Sequence, residues 1–421
     1  MNPELAAFLA EHTSLTRRYF LRCGTVGVAA MSALPMLAKG AERDPALQSV
    51  IDDLETWLTK QDDFQDVSRG NPKPYTHDEA KLKEVGLTRD TWKLEVVDDP
   101  DNSIRMRNPL TKEKNTAFTF KDLMQLAEKK AVRFPKLMTC LNLGCPLGNG
   151  IWEGVPLREV QWLTQPGQSL RRVFYYGYHN DDPKQMFRSS LPVGRVLEDL
   201  YDLPPVILCY KLNGHWLTGA RGAPVRIVVP EAYGFKNIKW LSHVVLSKMW
   251  KSNDTYGEKN NDVDSPLKTF CDPISVPGTI KPGQPIALTG YAQVGISGLK
   301  KVQVWIHNDD EALPANDNYF TTAPWRDAEI LPVPKTWGGD IADNRIPSPT
   351  YGFDPQTGQP KSWPMRLTKI HWAALLPGLP AGAYTLRTRT IDEKGIAQPM
   401  PRPFKKSGRA YIGEMGLIVE A

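Results

Sequence analysis

The sequence predicts an α+β protein in which a mixed region of helices and strands is followed by an all-β sandwich. At 421 residues the chain is too long for one hydrophobic core, so we expect two domains. Its 36 prolines and 32 glycines divide it into short segments. From residue 91 onward, apolar and polar residues alternate as they do in strands. A polar stretch at 252–275 is the predicted linker between the two domains.

The first 40 residues have the pattern of an export signal. Arg17 and Arg18 precede an apolar run, residues 24–37, that contains no acidic residue. An arginine pair ahead of a modest apolar run is typical of a twin-arginine signal. Because this run is short and contains Pro35, it does not suit a permanent membrane span. We therefore expect residues 1–40 to be a removed signal peptide and the mature protein to be periplasmic, with no stable membrane span.

Charge and cysteine content exclude several classes of protein. With 52 basic and 47 acidic residues the net charge is +5, which indicates neither a nucleic acid nor an anionic membrane as partner. Five scattered cysteines do not form the framework of a disulfide-rich domain, although one of them is a candidate ligand. No C-x-x-C-H motif occurs, so any heme belongs to a separate partner.

The first predicted domain covers residues 91–251 and follows an N-terminal extension, residues 41–90. The extension is polar apart from helical spacing at 47–58, and we expect it to wrap over the catalytic domain. Within the domain, one helix is predicted at 121–130. The predicted strands are 92–97, 172–178, 206–212, 225–229 and 244–246.

The second predicted domain covers residues 276–421. Alternating stretches at 286–292, 302–306 and 384–390 are separated by turn residues, which is typical of a β-sandwich. Residues 308–366 are rich in proline, aspartate and tryptophan, and we expect a surface excursion there.

Five short motifs follow one another in the first predicted domain. They are L-M-T-C at 137–140, W-E-G-V-P-L at 152–157, N-G at 213–214, R-G-A-P-V-R-I-V-V-P at 221–230 and K-W-L at 239–241. In this order and spacing they resemble the sulfite oxidase family of molybdopterin enzymes. From residue 291 onward the chain also resembles the immunoglobulin-like dimerisation domain of that family. The resemblance covers residues 90–421 and implies a molybdenum–molybdopterin cofactor and a homodimer.

The resemblance also implies roles for individual residues. Cys140 has the position of the thiolate that binds molybdenum, and a soft thiolate suits such a centre. Cys145, five residues on, is the alternative ligand. Tyr256 has the position of a catalytic tyrosine whose hydroxyl points toward the metal and the substrate. His179, among aromatic residues, receives no role.

The expected cofactor contacts are mostly cationic. Arg226 and Lys239 lie where the family anchors the cofactor, whose phosphate suits arginine and lysine donors. Arg221 replaces a family histidine and keeps a donor there. Asn142 and Lys236 are further cofactor-binding candidates.

Two positions depart from the relatives that oxidise sulfite. The segment 141–146 after Cys140 contains no basic residue, whereas those relatives have an arginine there. Their second substrate arginine corresponds to Ser407, next to Lys406 and Arg409. The upstream R-x-H motif of the family is not evident either.

Three functions follow from these observations. The leading one is a periplasmic molybdenum oxidoreductase that oxidises sulfite or a related small sulfur compound by oxygen-atom transfer and passes electrons to a c-type cytochrome. The alternative is a sulfoxide reductase, because Y-G-F-K at 233–236 resembles periplasmic methionine sulfoxide reductases, although these lack the C-terminal sandwich. The third is a cofactor-free structural relative.

Overall fold

The computed structural model describes residues 43–182, 184–200, 202–255, 263–277, 280–317, 319–398 and 412–420. The predicted signal peptide lies outside the described residues. Within them, no helix has the length and apolar character needed to cross a bilayer. The described α-helices are α1 (Pro45–Asp52), α2 (Glu79–Glu84), α3 (Phe120–Lys130), α4 (Leu157–Leu163) and α5 (Val193–Leu197).

The first sheet has five strands in the order β2-β1-β10-β5-β6. Their bounds are β1 (Lys93–Asp98), β2 (Phe118–Thr119), β5 (Arg172–Gly177), β6 (Phe187–Pro192) and β10 (Leu241–Ser247). Strand β1 runs parallel to β10, and the other pairs are antiparallel. Helix α3 follows β2 because Thr119 and Asp122 form a reciprocal capping box at its start. Its buried Leu123 joins the core beneath this sheet.

The second sheet has five strands and contains an antiparallel hairpin formed by β3 and β4. Its strands are β3 (Val132–Cys140), β4 (Cys145–Pro156), β7 (Ile207–Leu212), β8 (His215–Trp216) and β9 (Arg226–Val228). The order is β3-β4-β7-β8, with β9 also paired to β7. Strand β4 is buried over most of its length, as expected for a central strand covered on both faces.

The third sheet has seven antiparallel strands in the order β11-β12-β15-β14-β13-β16-β17. Their bounds are β11 (Phe270–Ser275), β12 (Ile286–Gln293), β13 (Lys301–Asn308), β14 (Arg326–Ile330), β15 (Lys369–Leu376), β16 (Gly382–Ile391) and β17 (Gly413–Val419). The sheet encloses an apolar core of its own that includes Leu288, Val304 and Trp372. The predicted fold class, a mixed α+β region followed by an all-β sandwich, is confirmed.

Two details of the predicted organisation differ from the structure. The predicted linker, 252–275, ends in strand β11, which belongs to the third sheet. The predicted surface excursion, 308–366, is partly interior, because Trp337 and Phe353 pack with Trp57 in a buried aromatic cluster. Alternation did not reveal this cluster, since its members come from segments without regular secondary structure. The predicted domain limits remain predictions, and residues 46–421 form one compact unit.

Candidate functional site

The hairpin of β3 and β4 brings Cys140 to the edge of a cavity. Cys140 is the last residue of β3, and residues 141–144 form the turn that leads into β4. Gly144 has φ +62° in this turn, and its N–H donates to the Cys140 carbonyl at 2.9 Å. The half-buried Cys140 side chain lines the cavity, as do Met138 of β3 and Trp152 of β4.

The cavity encloses about 340 Å³ and is formed by four parts of the chain. The hairpin forms one side, and residues within 221–240 form a cationic wall. The sequence-distant segment 64–69 contacts this wall and also lines the cavity. His179 and Phe187, which flank the β5–β6 connection, complete the lining. The segment 64–69 is here called the strap, because it closes over the cavity from the N-terminal extension.

Arg226 is fixed at the base of the cationic wall. It opens β9 and is 3% exposed. Its Nη1 donates to the Arg221 carbonyl and its Nη2 to the Asn237 carbonyl, both at 2.8 Å. The guanidinium also lies over the Trp152 ring, 5.1 Å from the centroid. Burial lowers the pKa of Arg226 to about 10, so the side chain stays protonated at neutral pH.

Arg221 lies beside it at the end of a 3₁₀ turn, Gly219–Arg221. It is buried, and its guanidinium is 5.5 Å from the ring centroid of Phe64 in the strap. Within the described part of the chain, the buried Nε atoms of Arg221 and Arg226 have no hydrogen-bond partner. Buried charged donors are normally paired, so two unpartnered guanidinium N–H groups in one cavity indicate an anionic ligand.

Lys239 is the third cation of the wall and is held by the strap. Its Nζ donates to the Ser68 hydroxyl at 2.6 Å, the Ala220 carbonyl at 2.5 Å and the Asp66 carboxylate at 3.2 Å. Burial, together with the charges of Arg226 and Arg221, lowers the pKa of Lys239 to about 7. Near neutral pH the side chain is therefore only partly protonated, and a bound anion stabilises its charged form.

Asp66 is the carboxylate that connects the strap to the wall. Besides Lys239 it accepts hydrogen bonds from Lys73 and Tyr75, each at 2.7 Å, and from the Ser68 hydroxyl. Burial alone raises the pKa of a carboxyl group, but these donors and the positive charge of Lys239 hold the pKa of Asp66 well below its usual range. Asp66 therefore stays ionised and anchors the strap.

Lys236 does not belong to the cavity, which departs from its expected role in cofactor binding. Its Nζ donates to Asp254 at 2.6 Å and to the Ser190 carbonyl at 2.7 Å. Lys236 and Asp254 are both buried, and Ser189 and Ser190 also donate to the carboxylate. This internal ion pair joins β6 to the segment after β10. In sequence Lys236 lies only three residues before Lys239, and a one-dimensional motif does not tell which of the two ammonium groups faces the cavity.

The remaining predicted site residues lie in three different places. Asn142 lines the cavity from the exposed hairpin turn. Cys145 lines a separate cavity, and its thiol lies 3.6 Å from the Gln65 side-chain oxygen. Because Cys140 faces the cationic wall and Cys145 does not, the geometry favours Cys140 as the ligand. Tyr256 lies outside the described residues, as do Lys406 and Arg409.

Arg69 is a cavity residue that was not predicted from the sequence. It lines the cavity from the strap, its Nη2 donates to the Lys184 carbonyl at 3.2 Å, and its guanidinium lies 5.9 Å from the centre of the Phe187 ring. The segment 141–146 lacks the expected substrate arginine, but a distant segment supplies a cation to the same cavity. The only signal in the sequence was an arginine in a segment expected to wrap over the domain.

His179 also lines the cavity, although no role was predicted for it from the sequence. Its Nδ1 lies 3.0 Å from the Gly177 carbonyl, and its ring contacts Trp240. Burial lowers its pKa from 6.5, so the imidazole is neutral at neutral pH. Across the described residues, no group of three or more histidine, cysteine, aspartate or glutamate side chains is arranged to hold a metal ion. A site with one protein thiolate and an organic cofactor supplying the other ligands remains compatible with this geometry.

Comparison with known proteins agrees with these observations. Residues 84–255 match the family model described as oxidoreductase molybdopterin binding domain. Mitochondrial sulfite oxidase of Drosophila melanogaster is 29% identical over 187 residues, which cover 39% of this chain and 32% of the relative. Sulfite oxidase of Gallus gallus is 34% identical over 116 residues, 25% of this chain and 24% of the relative. A nitrate reductase [NADH] of Volvox carteri is 30% identical over 115 residues, 26% of this chain and 13% of the relative. The matched part thus spans about a third or less of each relative.

A solved structure extends the likeness to most of the chain. The sulfane dehydrogenase SoxCD from Paracoccus pantotrophus superposes with a TM-score of 0.54 at 16% identity. The superposition covers 93% of this chain and 94% of that chain, so both sheets of the first region and the C-terminal sandwich share its fold.

Proposed function

We propose that this chain is a molybdopterin oxidoreductase of the sulfite oxidase family and that it oxidises sulfite or a related small sulfur compound by oxygen-atom transfer. The observation that carries the proposal is one cavity lined by a cysteine thiol, two buried arginines and a half-buried lysine. Molybdopterin is the cofactor that the family implies. Its phosphate requires cationic donors and its metal requires a thiolate, and the cavity offers both.

The residues of the cavity fit such a cofactor. The buried Nε atoms of Arg221 and Arg226 have no partner within the described part of the chain, and a phosphate would satisfy both. Arg226 is preorganised by two backbone carbonyls, so little side-chain freedom is lost on binding. Unpartnered charged donors are costly in a protein without a ligand, which argues against the cofactor-free alternative.

Each residue then has a separate task. When bound, the cofactor supplies a molybdenum centre that transfers an oxygen atom and accepts two electrons. Cys140 would hold that centre at the end of the hairpin, on the cavity that the cations line. Arg221 and Arg226 would bind the phosphate. Lys239 would add a positive charge, because the bound anion would favour the protonated form of its side chain. The strap would keep Lys239 in place through Asp66.

Arg69 would recognise the substrate. A sulfur oxyanion loses its hydration on entering the cavity, and without a nearby cation that loss is costly. Arg69 offers a permanently charged planar group on the same cavity as Cys140. Arg69 would thereby take the place of the basic residue that the segment 141–146 lacks.

The wider setting of the enzyme is also part of the proposal. The arginine pair at Arg17 and Arg18 supports twin-arginine export to the periplasm. The proposed electron acceptor is a c-type cytochrome, and its heme would be on a separate chain because this sequence contains no C-x-x-C-H motif. The C-terminal sandwich supports a homodimer by analogy with the family.

Turnover of molybdenum-loaded protein tests the function. We expect sulfite to be oxidised with ferricyanide or cytochrome c as acceptor, and Cys140→Ser to abolish that activity. Cys145→Ser is the matched control and keeps it. No turnover by a metal-replete wild-type sample would overturn sulfite as the substrate.

A sulfoxide reductase remains the second candidate because the mouth of the cavity is apolar. Val67 and Leu143 line it and are 42% and 54% exposed, a surface that suits the alkyl groups of a sulfoxide. Oxidation of a reduced dye by methionine sulfoxide, with no response to sulfite, would favour this function.

A further inference from the structure

Cys140 and Cys145 lie directly opposite each other across the β3–β4 hairpin. The register pairs Cys140 with Cys145 at the end of the two strands that adjoins the turn. In a regular antiparallel pair, opposed residues have Cβ atoms about 4.5–5.5 Å apart. Here the register shifts between Met138 and Thr139, just before this pair. Both side chains pack against the same apolar cluster, which includes Phe64 and Leu147. Neither cysteine is in a disulfide in this structure.

A cross-strand pairing of this kind is compatible with a disulfide. Opposed residues in antiparallel strands have Cα atoms about 4.5–5.5 Å apart. Disulfides join residues whose Cα atoms are about 4.4–6.8 Å apart. The Gly144 hydrogen bond to Cys140 closes the intervening turn. Bond formation requires the two thiols to rotate toward each other, since Cys140 lines the cationic cavity and the Cys145 thiol lies 3.6 Å from the Gln65 side-chain oxygen.

Each of the two cysteines can be reached, whereas the other two described cysteines cannot. Cys140 lines the cationic cavity, and Cys145 lines a second cavity of about 480 Å³ together with Glu55 and Lys369. Cys209 and Cys271 are fully buried, and burial raises the pKa of each thiol to about 12. They are unreactive internal controls.

We propose that Cys140 and Cys145 form a reversible disulfide in the cofactor-free protein, which withholds the Cys140 thiol from the cofactor. One cysteine thiolate attacks a low-molecular-weight disulfide, forms a mixed disulfide and expels one thiol. The other cysteine then attacks the mixed disulfide and expels the second thiol. Two cysteine S–H bonds are lost and one S–S bond forms, while the external disulfide takes up the two electrons and two protons. The disulfide itself is independent of the proposed function, and only its consequence for the cofactor rests on that function.

Peptide masses after oxidation test the disulfide. Cofactor-free protein is incubated with oxidised glutathione, denatured, and alkylated before digestion. We expect the peptide that contains Cys140 and Cys145 to be unalkylated and lighter by two hydrogen atoms, with Cys209 and Cys271 alkylated. In Cys145→Ser, Cys140 should carry glutathione instead, and in Cys271→Ser the internal disulfide should still form. Glutathione on both Cys140 and Cys145 of the wild type, or alkylation of both, would overturn the proposal.

Molybdenum uptake tests the consequence. Oxidised wild-type protein should take up no molybdenum from added cofactor, dithiothreitol should restore uptake, and Cys271→Ser should behave like the wild type under both conditions. Equal uptake by the oxidised and the reduced wild type would overturn the withholding of Cys140. Uptake by neither form would contradict the proposed function, while the peptide masses decide the disulfide separately.

Discussion

At the scale of single residues, the cations in and near the cavity differ in whether a carboxylate neutralises them. Lys239 and Lys73 both form ion pairs with Asp66. Lys236 is neutralised by Asp254. In the described part of the chain, Arg221 and Arg226 have no carboxylate within hydrogen-bonding distance. Motif spacing indicated Arg221, Arg226 and Lys239, which follow one another along one segment and line one cavity in the structure. It did not reveal Asp66 or Arg69, which come from a distant segment. It also did not distinguish the buried ion pair of Lys236 from a ligand contact.

Replacing Arg69 should weaken substrate binding. A charge-assisted hydrogen bond contributes about 1.5–3 kcal/mol, so Arg69→Ala should raise KM for sulfite by about 10- to 100-fold. Arg69→Lys keeps the charge but loses the planar donor pair and should have an intermediate effect. Steady-state kinetics measures both. An unchanged KM for Arg69→Ala would remove Arg69 from substrate recognition.

Anion binding to the cofactor-free protein should weaken as pH rises. Lys239, with a pKa of about 7, is largely neutral above that pH, and a bound dianion favours its charged form. Binding therefore takes up a proton, and affinity should fall by up to about tenfold per pH unit above neutrality. His179 titrates below this window because burial lowers its pKa, and Asp66 stays ionised throughout.

Calorimetric titration with sulfate between about pH 6 and pH 9 measures this dependence, since sulfate keeps its charge in that range. Lys239→Arg is the control, because a guanidinium remains protonated and should make the affinity nearly constant. A wild-type affinity that does not change with pH would contradict the role given to Lys239.

Breaking the internal ion pair should cost stability and leave the cavity intact. Lys236→Met leaves the carboxylate of Asp254 buried without its cation, which should lower the free energy of unfolding by about 3–5 kcal/mol. The double variant with Asp254→Asn should recover part of that loss. Urea denaturation measures both, and sulfate affinity should stay at the wild-type value. A lost sulfate affinity in a folded Lys236→Met protein would return Lys236 to the ligand contacts.

At the scale of elements, the strap and the hairpin fit together through one glycine. Gly148 in β4 has φ +154°, and a Cβ built there would lie 2.4 Å from the Phe64 ring of the strap. A side chain at this position is thus both strained and obstructed. Strand and helix positions followed well from alternation and capping, as in β1 and α3. The strap has no such periodicity, and its position follows only from tertiary contacts at Phe64, Asp66 and Ser68.

Gly148→Ala should displace the strap. We expect a loss of about 2–4 kcal/mol in the free energy of unfolding, from the strained backbone and the overpacked Phe64 ring. Hydrogen exchange should show faster exchange at residues 64–69. Gly194→Ala in helix α5 is the matched control, since a Cβ there meets nothing within 4 Å. Equal stability of the two variants would contradict the packing of Phe64 on Gly148.

At the scale of the whole molecule, the two predicted regions belong to one compact unit. The Thr139 hydroxyl, next to Cys140, donates to Gln293 of β12 at 2.6 Å, and the Leu137 N–H donates to the Leu367 carbonyl at 2.7 Å. The strand that carries Cys140 is therefore supported by the sandwich region. The order of a mixed region and a sandwich could be predicted from alternation along the chain. The packing between them could not, because it depends on single polar contacts and on irregular segments such as those of Trp57 and Trp337.

The central claim is that this cavity holds a molybdopterin cofactor between Cys140 and the arginine pair. The most direct test is the molybdenum and pterin content of protein purified from cells that make the cofactor. We expect the wild type to contain both in equimolar amounts with the chain. Arg226→Met should lose the pterin together with the metal, and Cys140→Ser should lose the spectroscopic signature of a thiolate-bound metal. A folded wild-type protein without molybdenum, or an Arg226→Met variant as fully loaded as the wild type, would contradict the account.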